Sequence, residues 1–208
     1  MRLLELFAGT GSVGEVFRER GWEVVSLDRD MDADLRMDIV DWDFRRDFQP
    51  GHFDMIWASP PCTQYSVAKT RGVRDIAGAN AVVLRTLEII HYLDPIAYFV
   101  ENPQTGQLKQ QPFIQGYRYT DVDYCRYGTA YRKRTRIWHN CPFFHGRQCH
   151  KLCGHMDAAM TRHRERAQNG LHLVNGVATS GRRASQMLLY RIPGALVEHV
   201  AEAVERML

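Results

Sequence analysis

The sequence predicts an α/β fold, a central and mostly parallel sheet with helices on both faces. Three observations carry that expectation. Short, wholly apolar runs alternate with helix-patterned segments, as strands buried on both faces of a sheet require. A glycine-rich turn joins the first such run to a helix. Two later runs each end in an X-Pro step, which forces extended or turn backbone at one edge of the sheet.

Taken in order, residues 2–7 form the first strand and Ala8-Gly9-Thr10-Gly11-Ser12-Val13-Gly14 the turn after it. The turn matches G-x-G-x-x-G, which lets the backbone bend tightly and brings a helix N-terminus close to a ligand. Residues 15–21 continue as a helix closed by Gly21, and residues 22–27 form the second strand with Asp28 at its end. A carboxylate there can accept ribose hydroxyls. The pattern suits a nicotinamide or flavin cofactor as well as S-adenosylmethionine (SAM), and a purely structural glycine turn would look alike. A further acid, Asp38, precedes Ile39 after the third strand; a plain solvated aspartate is the alternative reading.

Residues 53–58 read as a buried strand that delivers Ser59-Pro60-Pro61-Cys62-Thr63-Gln64. Two prolines in a row fix φ and remove two amide donors, so Cys62 is presented on a stiff loop at the strand's C-terminal edge. Open α/β sheets place their reactive groups at that edge. Residues 79–93 carry apolar side chains spaced for one buried helical face, and Asp94-Pro95 stops that helix. Residues 96–100 form a further apolar strand, delivering Glu101-Asn102-Pro103 to the edge where Cys62 stands. A thiolate is a good nucleophile towards an electron-poor ring carbon. Addition to C6 of a pyrimidine makes C5 nucleophilic once N3 is protonated or strongly hydrogen-bonded, and a partly buried carboxyl group can supply that proton. An inert buried thiol and an exposed strand-end carboxylate are the bland alternatives.

These stretches, in this order, resemble the DNA cytosine-5 methyltransferase family. Phe7-Ala8-Gly9-Thr10-Gly11 is similar to its SAM-binding motif, Asp28 to its ribose-binding acid, and Asp38-Ile39 to the stretch whose Asp contacts adenine. Pro60-Pro61-Cys62 with Ser66 resembles the nucleophile loop, and Glu101-Asn102 the catalytic Glu-Asn. Arg134-Thr135-Arg136-Ile137-Trp138 is similar to a later Arg-x-Arg-apolar motif. The resemblance implies a SAM-dependent methyltransferase sandwich with SAM as cofactor and double-stranded DNA as partner. It further implies attack of Cys62 on a cytosine flipped out of the duplex, with Glu101 at N3 and Arg134 or Arg136 holding the base. Thr63 stands where the family usually has Gln, Pro103 replaces the usual Val, and Arg132 replaces the Gln that opens the arginine motif.

Residues 139–183 offer too little chain for a full DNA-reading domain. They hold Cys141, Cys149, Cys153 and His155, four soft ligands that could fold a small segment around structural zinc; reduced, unliganded thiols are the alternative. Arg162, His163, Arg164, Arg166, Arg182 and Arg183 flank Gln168-Asn169-Gly170 and suggest a phosphate-facing surface, with residues 179–185 as a substrate loop; a solvated basic face is the alternative. Residues 184–208 close the chain with Ile192-Pro193-Gly194 and an amphipathic helix; Ile192-Pro193-Gly194-Ala195 loosely resembles the family's last motif, which implies that this segment folds back to complete the SAM pocket. The expected division is therefore a catalytic core over 1–138, the reduced recognition segment over 139–183 and a completing helix over 184–208.

Bulk properties leave that reading open. Across 208 residues, 45% are hydrophobic and 25% charged, which supports a globular core. The net charge of +3 comes from 27 basic and 24 acidic residues, with arginine concentrated in the second half. Five cysteines, an odd number, with no secretory signal and no apolar run of ~18 residues, point to a reduced cytoplasmic setting without a membrane. Other readings stay open: an RNA cytosine methyltransferase, a non-catalytic SAM-fold DNA-binding protein, and a nicotinamide dehydrogenase that would leave Cys62 and Glu101 unexplained. A specificity partner or a homodimer is compatible with so small a recognition segment.

Overall fold

The computed structural model describes residues 1–165 and 189–208 in full, and between them only the backbone of two short paired strands, His172–Val174 and Val177–Thr179. Seven strands form the main sheet: β1 Arg2–Leu6, β2 Glu23–Asp28, β3 Leu35–Arg36, β4 Met55–Ala58, β5 Ala97–Pro103, β6 Tyr119–Asp123 and β7 Arg134–His139. Their spatial order is β3-β2-β1-β4-β5-β7-β6. All neighbours from β3 to β5 pair in parallel, whereas β7 is antiparallel to both β5 and β6. Strand order reverses between β1 and β4, and the carboxyl ends at such a switch point form the crevice where α/β sheets bind ligands.

Side-chain alternation explains the layers. In β1, Leu3 joins the core on one face and Leu4 and Leu6 the core on the other; in β4, Met55 and Trp57 oppose Ile56 and Ala58. Both faces are thus buried, which is why each run reads as continuously apolar rather than alternating. One face is covered by α1, Ser12–Glu19, and α4, Gly194–Glu205, through Phe17, Leu196 and Val200. Arg20 ties these helices, donating to Glu198 and Glu205. The opposite face is covered by α2, Phe44–Asp47, and α3, Ile76–Leu93.

Helix α3 starts three residues before the apolar spacing suggested, because Asp75 caps it by accepting from the Gly78 amide at 2.8 Å. At 18 residues and a mean hydropathy of 1.2, it has the length and composition of a membrane span. Its buried residues Val83, Leu87, Ile90 and Leu93 pack into the sheet's core, and Arg85 pairs with Glu88 along it. That is the packing of a core helix.

Candidate functional site

A cleft of about 500 Å³ opens at the switch point, a volume in the range of small-molecule and cofactor sites. Its floor is the turn after β1. Phe7, Gly9 and Gly11 take positive φ values of 60°, 55° and 69°, and the Gly11 amide closes onto the Ala8 carbonyl at 2.8 Å. A left-handed phenylalanine is uncommon, and its neighbours must hold it there. Asp28 does part of this: Oδ2 accepts from the Gly9 amide at 2.9 Å, and Oδ1 accepts from the amides of Asp30 and Met31. Three of its roughly four acceptor positions are therefore committed to backbone, leaving about one for a ligand hydroxyl. Phe7, Gly9, Thr10, Asp28, Asp38, Ile39 and Pro60 all line the cleft; Gly11 shapes the turn without lining it. Asp38 accepts from Arg29 at 3.3 Å and from the Val40 amide at 3.0 Å. The far wall comes from the C-terminal segment, where the Ile192 amide donates to Ser12 Oγ at 3.1 Å. An apolar slot beside several carboxylates and a turn of left-handed glycines suits a nucleoside bearing ribose hydroxyls and a positive charge, so the residues present fit SAM.

The thiol loop is fixed from beneath. Asn102, fully buried at the end of β5, donates from Nδ2 to the Pro60 carbonyl at 2.9 Å. Beyond the cysteine, Arg74 donates to the carbonyls of Gln64, Ser66 and Lys69, all within 2.8 Å. Gln64 turns into this loop, accepting from Lys69 and the Asp75 amide. It cannot substitute for the Gln missing at Thr63, which is exposed and faces the cleft.

Glu101 is 5% exposed and lines the same cleft as Cys62. Its Oε1 accepts from Tyr124 Oη at 3.2 Å and stands 3.5 Å from Lys133 Nζ. Burial pushes the Cys62 thiol up from its usual range; nearby Glu101 pushes it further, and Lys133 opposes both. Lys133 is a cleft residue beside both groups that sequence reasoning passed over. Its signal was its place beside the arginine motif.

The two arginines of that motif part company. Arg134 lines a second opening of about 830 Å³ shared with Cys62, Thr63 and Ser66. Arg136 does not reach either opening: its guanidinium forks onto Asp121 at 2.7 and 2.8 Å and lies 3.5 Å over the Tyr119 ring. It joins β6 to β7. Arg132 similarly forks onto Asp123.

The expected metal set also changes. Cys149 and Cys153 do meet, but their partners are Cys125 and His163, with all four ligand atoms within 4.8 Å of one another. Cys141 is fully buried in the main core, with its Sγ against the Ala203 carbonyl at 3.6 Å. His155 contributes its backbone amide, which donates to Cys153 Sγ at 3.4 Å. Cys125 lies 24 residues before Cys149, a separation that local spacing does not reveal. Of the basic stretch, Arg162 and Arg164 are described; Arg166, Gln168-Asn169-Gly170, Arg182, Arg183 and the loop over 179–185 lie outside the described residues, apart from the backbone of Thr179 in the second short strand.

A mostly parallel sheet with a nucleoside-sized cleft at its switch point, beside a thiol–carboxylate pair, has the architecture of a nucleotide-cofactor-binding α/β fold. The model of C-5 cytosine-specific DNA methylases matches residues 1–109. A Frog virus 3 (isolate Goorha) protein named "Probable DNA (cytosine-5)-methyltransferase" is 34% identical over 214 residues, covering 95% of this chain and 97% of its own. The chain belongs to the C-5 cytosine-specific DNA methylase family. Among solved structures, a Spodoptera frugiperda DNMT2 mutant shares the fold with a TM-score of 0.50 at 16% identity, over 71% of this chain and 55% of that one. The S. pombe Dnmt2 methyltransferase gives 0.47 at 15% identity, over 67% and 49%. The chain spans about half the length of these solved methyltransferases.

Proposed function

We propose that the protein transfers a methyl group from SAM to C5 of cytosine in DNA through a covalent Cys62 adduct. The observation that carries this is the convergence of Cys62 and Glu101 on one wall of the cleft floored by the glycine turn. Phe7 to Thr10, Asp28, Asp38 and Ile39 would hold the cofactor, with Tyr190 and Ile192 closing over it. When bound there, SAM supplies an electrophilic methyl group on a sulfonium.

The chain's own residues do the rest. Cytosine must leave the duplex stack to reach a thiol seated at the end of a buried strand. The Cys62 thiol gives its proton to solvent, aided by the Lys133 charge, and its sulfur bonds to C6. Glu101 holds or donates the proton at N3, so electrons from the C5–C6 bond collect at C5. After C5 has taken the methyl group, its proton passes to solvent and the C5–H electron pair re-forms the C5–C6 double bond; the C6–S pair leaves with the sulfur, N3 returns its proton to Glu101, and the Cys62 thiolate regains a proton from solvent. Asn102 keeps the loop from recoiling by holding the Pro60 carbonyl.

The deciding experiment follows label from SAM into duplex DNA, with RNA of the same sequence in parallel. Label should enter DNA, and a 5-fluorocytosine duplex should trap a covalent adduct that Cys62→Ala cannot form. A Cys62→Ala protein that methylates as well as the parent sinks the nucleophile assignment, and label confined to RNA sinks the substrate assignment.

A further inference from the structure

We infer that Cys125, Cys149, Cys153 and His163 form a closed structural zinc site that fastens residues 147–165 over the opening beside Cys62. The first argument is geometric. His163 Nε2 lies 3.3 Å from Cys149 Sγ and 3.2 Å from Cys153 Sγ, and no ligand-atom pair exceeds 4.8 Å. Tetrahedral zinc with bonds of about 2.3 Å to sulfur and about 2.0 Å to nitrogen would place such atoms roughly 3.5–3.8 Å apart. The group needs only small adjustments to close on an ion. Three thiolates and one imidazole fill a tetrahedral shell without an open position, so the site is structural rather than catalytic.

The second argument concerns what else could hold this stretch. Between residues 147 and 165, only Cys149 and Met156 are buried apolar residues. Two such side chains cannot organise about nineteen residues, and small segments short of a core use a metal or disulfides instead. All four ligand side chains are drawn inward, Cys125 and Cys149 fully and Cys153 and His163 partly. Surrounding groups orient them. Cys149's amide donates to Asp123 Oδ2 at 2.7 Å, Arg132 holds that carboxylate from the other side, and the His155 amide donates to Cys153 Sγ. Such outer contacts fix the ligands and spread the sulfur charge.

The position gives the site a purpose. Cys125 follows Tyr124, whose hydroxyl donates to Glu101, in the 3₁₀ turn Tyr124–Tyr127 after β6. At the other end, Arg162, His163 and Glu165 line the opening shared with Cys62 and Arg134. The metal would therefore join the wall of the substrate opening to the element that supports the catalytic carboxylate. In a chain with so little recognition sequence, it replaces a hydrophobic core.

The test is metal content of the full chain, purified under reducing conditions from zinc-replete cells. One zinc per chain is expected, with His155→Ala retaining it and Cys149→Ser and His163→Ala losing it. His163→Cys, which keeps four ligands, should retain zinc and the parent's fold. Because ligand-loss variants can unfold, cobalt is added to chelator-stripped wild type, where intense visible bands of tetrahedral cobalt–thiolate are expected. Chelation should also open residues 147–165 to protease while α1–β5 stays resistant. Protein that lacks zinc and gives no such bands with cobalt overturns the proposal. So does zinc that survives in His163→Ala, or a disulfide among Cys125, Cys149 and Cys153 in the reduced preparation. None of these readouts depends on methyl transfer.

Discussion

Glu5 and His139 are two buried ionisable groups whose effects on stability run in opposite directions. Glu5, 2% exposed in β1, accepts from the Gly14 amide at 3.0 Å. Burial raises its carboxyl from 4.5 to about 7, against the pull of the Gly14 and Val13 amides and Arg18. His139 is fully enclosed between Phe99 and Phe144, and burial lowers its imidazole from 6.5 to about 4. A folded-state pKa raised above the unfolded value gives stability that is present at low pH and lost as pH climbs. Glu5 therefore costs stability between pH 4.5 and about 7, and at 1.36 kcal/mol per unit the total is about 3 kcal/mol. For His139 the shift is downward, so stability is lost as pH falls from 6.5 towards 4, by a similar amount. Over pH 4.5–6.5 the two slopes nearly cancel in the parent protein. Glu5→Gln removes one of them. Urea denaturation of both proteins at fixed pH values should give stabilities that match within about 1 kcal/mol near pH 4.5. The variant should lead by up to about 3 kcal/mol at pH 8, and other titrating groups cancel in the difference. A difference that stays constant from pH 4.5 to 8 refutes the assignment of a neutral, buried Glu5.

Substitutions at three positions test the local architecture. Gly14→Ala should destabilise by about 1–3 kcal/mol in thermal or urea denaturation, since a Cβ there would meet Glu5 Oε2 at 2.6 Å and Val24 Cγ1 at 3.1 Å. Asn102→Ala removes the buried tie to the Pro60 carbonyl; it should cost about 1–3 kcal/mol and slow turnover while leaving the SAM dissociation constant unchanged, as calorimetry would show. Lys133→Gln removes the charge that favours the Cys62 thiolate, so alkylation of Cys62 should shift to higher pH, whereas Lys133→Arg should hold the parent profile.

The parallel half of the site was legible because its signals are local. The turn from Phe7 to Gly14, the Pro60-Pro61 step and the Glu101-Asn102 end of β5 each follow a short apolar run within a few residues. Backbone geometry alone puts such strand ends at one edge. The extra roles of these residues were not legible: nothing local says that Asp28 spends most of its acceptor capacity on the amides of Gly9, Asp30 and Met31. Nor does spacing reveal the Cys/His cluster. Cys141 fits a short-range Cys/His pattern but points into the main core, while Cys125 reaches the cluster from the far side of β7.

Lys133 eluded the sequence for a reason rooted in strand direction and parity. Because β7 runs antiparallel to β5, its first residues lie beside the last residues of β5, and the Gln104 amide donates to the Arg134 carbonyl at 3.0 Å. A parallel β7 would carry its first residues to the opposite edge, about 20 Å away for six residues at ~3.3 Å each. The reversal thus brings a cation to the edge where the thiol and carboxylate already stand. Side chains then alternate along the strand, so Arg134 and Arg136 share one face and their neighbours the other. Arg136 is consumed by Asp121, and Lys133, entering just before the strand, reaches Glu101 instead. Burial and the neighbouring Glu101 carboxylate both disfavour the Cys62 thiolate, and the Lys133 cation opposes them. An arginine-rich motif therefore supplies the site's charge through the one lysine embedded in it.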